Sequence, residues 1–133
     1  MRPAVPPLYD VGMANILVVD DDPDIVGLVS LKLRSSGHEV TAVGSGEAAL
    51  DALAARTDVD LAVVDHMMPG MTGVDLVRAL RAGGSTMKVL MLTARSQERD
   101  LENGFTAGVD DYMTKPFSPR ELAARVTSML SRR

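Results

Sequence analysis

The chain has 133 residues, of which 46% are hydrophobic and 24% are charged, and these values are typical of one globular domain with a buried core. The absence of cysteine excludes disulfides, thiolate metal sites and cysteine nucleophiles. The net charge is −4 and the chain has no basic run, which argues against nucleic-acid binding. It has no signal-peptide pattern and no apolar run of about 20 residues, which argues against a membrane span. We therefore expect a cytoplasmic domain.

The first 14 residues differ from the rest of the chain. They read MRPAVPPLYDVGMA and contain three prolines but no hydrophobic period. We expect residues 1–14 to form a flexible N-terminal leader and residues 15–131 to form the single folded domain.

From residue 15 onward, short β-branched runs alternate with segments that have the apolar spacing of helices. The predicted strands are residues 16–19, 39–43, 61–64, 88–92 and 112–114. The predicted helices are residues 23–36, 46–56, 74–82, 97–107 and the segment from 119 to the end of the domain. Alternation of this kind is typical of right-handed βαβ units, so we predict a doubly wound, five-stranded parallel α/β domain.

Several helix starts carry capping signals. Asp22 and Ser45 can cap the first and second helices, and Pro23 fits the first turn of the first helix. Ser96 can cap the fourth helix, and Ser118 opens a capping-box sequence, SPRE, before the fifth.

Polar residues follow or end four of the predicted strands. In a parallel sheet the carboxyl ends of the strands meet at one edge, where binding sites form. The residues that this topology would bring together are Asp20, Asp21 and Asp22 after the first strand, Asp65 at the end of the third, Thr93 and Ala94 at the end of the fourth, and Lys115 at the end of the fifth.

This set of side chains favours phosphoryl transfer to a carboxylate. Clustered carboxylates repel one another unless a cation compensates, and Mg²⁺ prefers such oxygen ligands. Lys115 adds a second positive charge, while the Thr93 hydroxyl and the Ala94 main-chain N–H could donate to an oxyanion. Aspartate is a known nucleophile in phosphoryl transfer, so we predict that Asp65 is phosphorylated.

Four segments resemble the receiver domain of two-component response regulators, in the same order and spacing over residues 15–130. They are ILVVDDDPDI, VVDHMMPGMTG, VLMLTA and DYMTKPFSPREL. The resemblance implies a flavodoxin-like (CheY-like) fold with strand order 2-1-3-4-5. It also implies a Mg²⁺ site formed by Asp20, Asp21, the phosphoacceptor Asp65 and the main-chain carbonyl of Met67.

The same resemblance implies roles for other residues around the phosphoryl group. Lys115, Thr93, Ala94 and Met67 would surround it, with a cis peptide bond after Lys115. Thr93 would be the switch hydroxyl and Tyr112 the switch aromatic residue.

The function implied by the resemblance is signalling rather than enzymatic turnover, beyond self-phosphorylation and self-dephosphorylation. A sensor histidine kinase or a phosphotransfer protein would phosphorylate Asp65. The face formed by the fourth helix, fifth strand and fifth helix would then change and control a partner or an effector domain, without nucleic-acid binding by this domain itself or contact with a membrane.

The last segment most resembles receivers of winged-helix, DNA-binding regulators, which dimerise through this face by ion pairs. Leu101 replaces the basic residue that these receivers usually have on the fourth helix. The charged residues that match their pattern are Asp110 or Asp111, Glu121, Arg125 and Arg132.

Two other functions remain open from the residues alone. A Mg²⁺-dependent phosphohydrolase with an aspartyl-phosphate intermediate would use a D-x-D pair, which Asp20 and Asp22 provide, although Pro23 leaves no room for a substrate loop. A flavodoxin-like cofactor binder would need a glycine-rich or hydroxyl-rich phosphate loop, which does not follow the first strand. We interpret His66 as a structural residue, at a position that is usually apolar in the receiver family.

Overall fold

The computed structural model describes residues 13–94 and 101–132. Most of the predicted leader and the predicted Ser96 cap lie outside these ranges. Within them, no helix combines the length and the apolar character that a membrane span requires.

Five strands and five helices alternate along the described chain, as predicted. The strands are β1 (Asn15–Val19), β2 (Glu39–Val43), β3 (Leu61–Asp65), β4 (Lys88–Ala94) and β5 (Asp111–Lys115). The helices are α1 (Pro23–Ser35), α2 (Gly46–Ala54), α3 (Gly73–Ala82), α4 (Leu101–Ala107) and α5 (Pro119–Ser131).

The strands form one parallel sheet in the order β2-β1-β3-β4-β5, which confirms the predicted order. A single apolar core lies on each face of the sheet. Helices α2, α3 and α4 contribute to the core on one face, and α1 and α5 contribute to the core on the other. The central strand β3 is buried along its whole length, as its continuous apolar sequence predicts.

Strands β3, β4 and β5 extend beyond their apolar runs and end on the polar or small residues that the sequence placed there. The parallel ladder pairs Asp65 with Leu92 and Ala94 with Lys115, so these polar ends belong to the sheet. Backbone pairing does not require an apolar side chain, which is why apolar runs alone underestimate these strands. Four of the predicted site residues therefore lie within the sheet, namely Asp65, Thr93, Ala94 and Lys115.

The helix starts follow the predicted caps. Asp22 accepts a hydrogen bond from the Asp24 N–H, and Ser45 accepts one from the Ala48 N–H. Ser118 accepts from the Glu121 N–H in the same way. A further capping box, which we did not predict, joins Thr72 and Asp75 at the start of α3.

Helix α2 ends at Ala54, two residues before its predicted end. Arg56 lies beyond it and donates hydrogen bonds to the Thr41 hydroxyl and to the Asp58 carboxylate. These contacts tie the end of the helical sequence to β2 and to the loop that precedes β3.

Candidate functional site

Strand ends β1, β3 and β5 bring an acidic cluster and a lysine together. The carboxylates of Asp20, Asp21 and Asp65 each have an oxygen within 4.8 Å of the others. Asp65 is 6% exposed and Asp20 is 2% exposed, whereas Asp21 is exposed to solvent. The convergence that the sequence predicted for these three residues is therefore confirmed.

Lys115 joins the two buried carboxylates. Its Nζ atom lies 2.8 Å from Asp65 Oδ1 and 3.3 Å from Asp20 Oδ2. The following peptide bond, between Lys115 and Pro116, is cis, as the resemblance implied. One ammonium group thus bridges the ends of β1 and β3 from the end of β5.

Asp20 and Asp22, which both follow β1, have different roles. Asp20 Oδ1 accepts a hydrogen bond of 2.9 Å from the Asp22 N–H, so both carboxylate oxygens of Asp20 have partners. The Asp22 carboxylate caps α1, as expected, and is not part of the acidic cluster.

The electrostatics of the cluster follow from burial and charge. Burial raises the pKa of the Asp65 carboxyl group; the hydrogen bond from Lys115 opposes this, and the charges of Asp20 and Asp21 reinforce it, so the pKa remains above its ordinary value. Burial acts to lower the pKa of Lys115, but its contacts with Asp65 and Asp20 outweigh burial and raise that pKa. Lys115 is therefore charged at neutral pH.

The donor set fits a hard divalent cation. Three carboxylates face one lysine, so the charge of the cluster is not balanced, and carboxylate oxygens are the ligands that Mg²⁺ prefers. Met67, predicted to provide a main-chain carbonyl ligand, lies in the loop directly after β3, and its side chain is exposed.

A close backbone approach fixes the loop beside Asp65. A Cβ atom on Gly73 would overlap the main-chain carbonyl oxygen of Asp65 and would lie 3.1 Å from the His66 Cα atom. The glycine therefore allows the start of α3 to pack directly on the end of β3.

Thr93 and Ala94 form the last two residues of β4, next to the cluster in the sheet. Thr93 is 1% exposed, and Ala94 pairs in register with Lys115. The Thr93 hydroxyl lies 3.3 Å from Nδ1 of His66, a contact between buried groups that sequence analysis missed. The only sequence signal for it was the polar residue at a position where the family is usually apolar.

Tyr112, the predicted switch residue, is half-buried on the same face of the sheet as α4. Its ring makes an edge-on contact with Phe105, with 4.8 Å between ring centroids. A Cβ atom on Gly104 would overlap the Tyr112 hydroxyl. The absence of a side chain at Gly104 thus provides the space that this hydroxyl occupies against α4.

Four of the charged residues noted for the face formed by α4, β5 and α5 have charged partners within the described chain, namely Asp110, Asp111, Arg125 and Arg132. Asp111 Oδ2 lies 3.1 Å from Arg125 and 3.9 Å from Arg132. Asp110 Oδ2 lies 3.2 Å from Arg81 and accepts a hydrogen bond of 2.8 Å from the Val89 N–H. The side chain of Leu101, which we noted on this face, lies outside the described part of the structure.

The comparisons with known proteins all lead to one family. The sequence model of the response regulator receiver domain matches residues 16–127. The chain is 43% identical over 118 residues to the DNA-binding response regulator MtrA of Mycolicibacterium smegmatis, covering 89% of this chain and 51% of MtrA. It is 39% identical over 120 residues to the response regulator SaeR of Staphylococcus aureus, covering 90% of this chain and 52% of SaeR.

The fold comparison agrees. The structure of the chemotaxis protein CheY4 of Vibrio cholerae superposes with a TM-score of 0.82 at 31% identity, covering 88% of this chain and 98% of that chain. The chain spans about half the length of the curated relatives that it matches.

Proposed function

Since the chain belongs to the response regulator receiver family, we propose that Asp65 accepts a phosphoryl group from a sensor histidine kinase or a phosphotransfer protein, in a Mg²⁺-dependent reaction. The observation that carries this proposal is the position of the Asp65 carboxylate, which lies beside both Lys115 and a second buried carboxylate, Asp20. This phosphoryl transfer would belong to the two-component pathway of the receiver family, and we infer that it takes place in the cytoplasm.

The chemical step is a transfer between two nucleophiles. The ionised Asp65 carboxylate attacks phosphorus, and the new O–P bond forms as the N–P bond to the donor histidine breaks. The electron pair of the N–P bond stays on that ring nitrogen, and the imidazole leaves as a neutral ring because its other nitrogen already carries a proton. Lys115, already hydrogen-bonded to Asp65, is placed to hold a phosphoryl oxygen.

Metal ligands in this proposal are the carboxylates of Asp20, Asp21 and Asp65 and the main-chain carbonyl of Met67. The chemistry that Mg²⁺ supplies when bound is neutralisation of the negative charge on the carboxylates and on the incoming phosphoryl group. Asp20 also orients the site itself, because its second oxygen fixes the Asp22 N–H at the start of α1.

The signal leaves the site through Thr93 and Tyr112. The Thr93 hydroxyl and the Ala94 N–H bind phosphoryl oxygens, and inward movement of Thr93 lets Tyr112 rotate into the space behind it. This changes the face formed by α4, β5 and α5. The phosphoryl group biases an equilibrium that already exists in the unphosphorylated domain.

The partner of that face is proposed to be a second copy of the chain. The charges at Asp111, Glu121, Arg125 and Arg132 match receivers of DNA-binding regulators, and MtrA is such a regulator by name. In dimerisation, Arg125 and Arg132 would exchange part of their contact with Asp111 for contacts across the interface. In a longer regulator the dimer would control the effector domain.

The experiment that tests this function is measurement of intact mass after incubation with acetyl phosphate. We expect the wild type to gain one phosphoryl group with Mg²⁺ and none with EDTA. Asp65→Asn should gain none, because the amide is not a nucleophile, whereas Asp51→Asn, on the exposed side of α2, should behave as the wild type.

An adduct that persists in Asp65→Asn or in EDTA would contradict the proposal. Sedimentation velocity on the same samples tests the partner, with dimers expected only after phosphorylation. Steady release of phosphate from p-nitrophenyl phosphate would instead support the phosphohydrolase alternative, which the capping role of Asp22 disfavours.

A further inference from the structure

Backbone hydrogen bonds hold His66 between the end of β3, which carries Asp65, and the neighbouring elements β4 and α3. It follows Asp65 directly, its N–H donates a hydrogen bond of 2.8 Å to the Leu92 carbonyl, and its own carbonyl accepts one of 2.8 Å from the Gly73 N–H. The residue is 5% exposed. Both the position and the direction of this side chain are thus set by β4 and by the start of α3.

The ring meets Thr93 because the two residues share a face of the sheet. Side chains alternate along a strand, so Val64 and His66 lie on one face while Asp65 lies on the other. Thr93 occupies the corresponding face of β4, and His66 Nδ1 lies 3.3 Å from Thr93 Oγ1. The Thr93 hydroxyl also lies 3.4 Å from the Ala94 carbonyl oxygen.

A hydrogen bond between two buried groups resists being broken. If one partner moves away, the other is left buried without that partner, and its desolvation is then uncompensated. An apolar side chain at position 66 would impose no such penalty on movement of Thr93. His66 therefore gives this chain a hydrogen bond to Thr93 that a receiver domain with an apolar residue at this position would lack.

We propose that His66 is a positioning residue for Thr93. Its ring holds the Thr93 hydroxyl in the position that this hydroxyl has before Asp65 is phosphorylated. Activation then exchanges partners: the Thr93 hydroxyl leaves the His66 ring and hydrogen-bonds to a phosphoryl oxygen. This inference rests on the proposed function, because the exchange requires a phosphoryl group on Asp65. A stronger His66–Thr93 contact leaves less of the domain active before phosphorylation.

Two substitutions separate the hydrogen bond from the packing. His66→Leu removes the hydrogen bond and keeps an apolar side chain in the site. His66→Asn keeps a polar atom two bonds from Cβ, where Nδ1 now lies, and its amide can donate or accept. Loss of one buried hydrogen bond should raise the ratio of active to inactive conformers about two- to tenfold in His66→Leu, and His66→Asn should restore the wild-type ratio.

The direct test is ¹⁵N NMR of the histidine rings, which is simple because the chain has only two histidines. His38 lies near the opposite edge of the sheet, beside Ala14, and serves as the internal reference. Spectra are recorded for the wild type and for Thr93→Val, each before and after phosphorylation with acetyl phosphate and Mg²⁺. Intact mass is measured on every sample.

We expect Thr93→Val to move the His66 Nδ1 resonance in the unphosphorylated protein and to leave His38 unchanged. Phosphorylation should then move the His66 resonance further in the wild type than in Thr93→Val, because only the wild type has a hydroxyl to release. Equal movement in both proteins, with the adduct present in both, would overturn the role of His66. No adduct on the wild type would instead refute the proposed function, and the unphosphorylated spectra would still test the contact.

Discussion

His38 is a second buried histidine, and it serves the fold rather than the site. Its Nδ1 atom accepts a hydrogen bond of 3.1 Å from the Ala14 N–H, which requires a neutral ring with its proton on Nε2. Burial lowers the pKa of His38 below its ordinary value of 6.5, and the nearby charge of Asp60 only partly opposes this. The ring therefore joins the start of β1 to β2 only while it is uncharged.

This gives a pH dependence with a defined sign. The unfolded chain binds a proton at His38 more readily than the folded chain, so the stabilisation is complete above pH 6.5 and is lost as the pH falls through the lowered pKa. We expect the contribution of His38 to the free energy of unfolding to fall from pH 7 to pH 5, by at most about 1.4 kcal/mol per pH unit for this one proton.

The measurement is urea unfolding at several pH values, with His38→Asn as the control. The asparagine side chain can accept from the Ala14 N–H but does not titrate, so its curve should be flatter than that of the wild type over this range. Parallel curves for the two proteins would show that His38 does not contribute to the pH dependence.

At the scale of elements, α4 packs on β5 through a glycine. The Tyr112 hydroxyl occupies the position that a Cβ atom would take on Gly104, and the Tyr112 ring is held on its edge by Phe105. A side chain at this point would have to move the helix away from the strand or the ring away from the helix. Position 104 therefore requires glycine, because any side chain there would occupy the space of the Tyr112 hydroxyl.

We expect Gly104→Ala to lower the free energy of unfolding by about 1–3 kcal/mol, the usual effect of overpacking. Gly27→Ala is the matched control, because Gly27 is exposed on α1 and no atom lies within 4 Å of the point that its Cβ atom would occupy. Alanine there should add up to about 1 kcal/mol of stability. Urea unfolding of the two variants measures both changes.

A second variant shows whether Tyr112 is the cause. Tyr112→Phe removes the hydroxyl that lies nearest to the new Cβ atom, so it should recover part of the loss in the Gly104→Ala background. If Gly104→Ala alone is as stable as the wild type, the close contact between α4 and Tyr112 is not maintained in solution.

At the scale of the whole molecule, the acidic cluster links metal binding to folding. Its carboxylates come from the ends of β1 and β3 and are 45 positions apart in the chain between Asp20 and Asp65, so the unfolded chain does not hold them together. A cation that binds only the folded state stabilises it by mass action. Stability should therefore rise with the concentration of Mg²⁺.

At a Mg²⁺ concentration ten times the dissociation constant, the free energy of unfolding should rise by about 1.4 kcal/mol. Asp21→Asn should lose most of this gain, because it removes one donor from the cluster while leaving the Lys115 contacts with Asp20 and Asp65 in place. Thermal unfolding in MgCl₂, compared with NaCl of equal ionic strength, measures the effect. An equal rise in Asp21→Asn would place the stabilising ion elsewhere.

The sequence by itself determined the features that local chemistry encodes. Alternating apolar runs specified the parallel sheet, and Asp22, Ser45 and Ser118 specified helix starts, because a cap is satisfied by a backbone N–H two or three residues away. The convergence of Asp20, Asp65 and Lys115 was also predictable. It follows from parallel topology alone, which places the carboxyl ends of all strands at one edge.

Only the tertiary structure decided the contacts that depend on which side chains face each other across elements. The pairing of His66 with Thr93 depends on the register of β3 against β4, and the fit of Tyr112 over Gly104 depends on how closely α4 approaches β5. Asp110, which the sequence offered as an interface residue, is held by Arg81 from α3. The residues in these contacts are 8 to 29 positions apart in the chain, and no hydrophobic period in the sequence marks them. The contacts form only when the sheet and its helices pack together, so the sequence alone did not predict them.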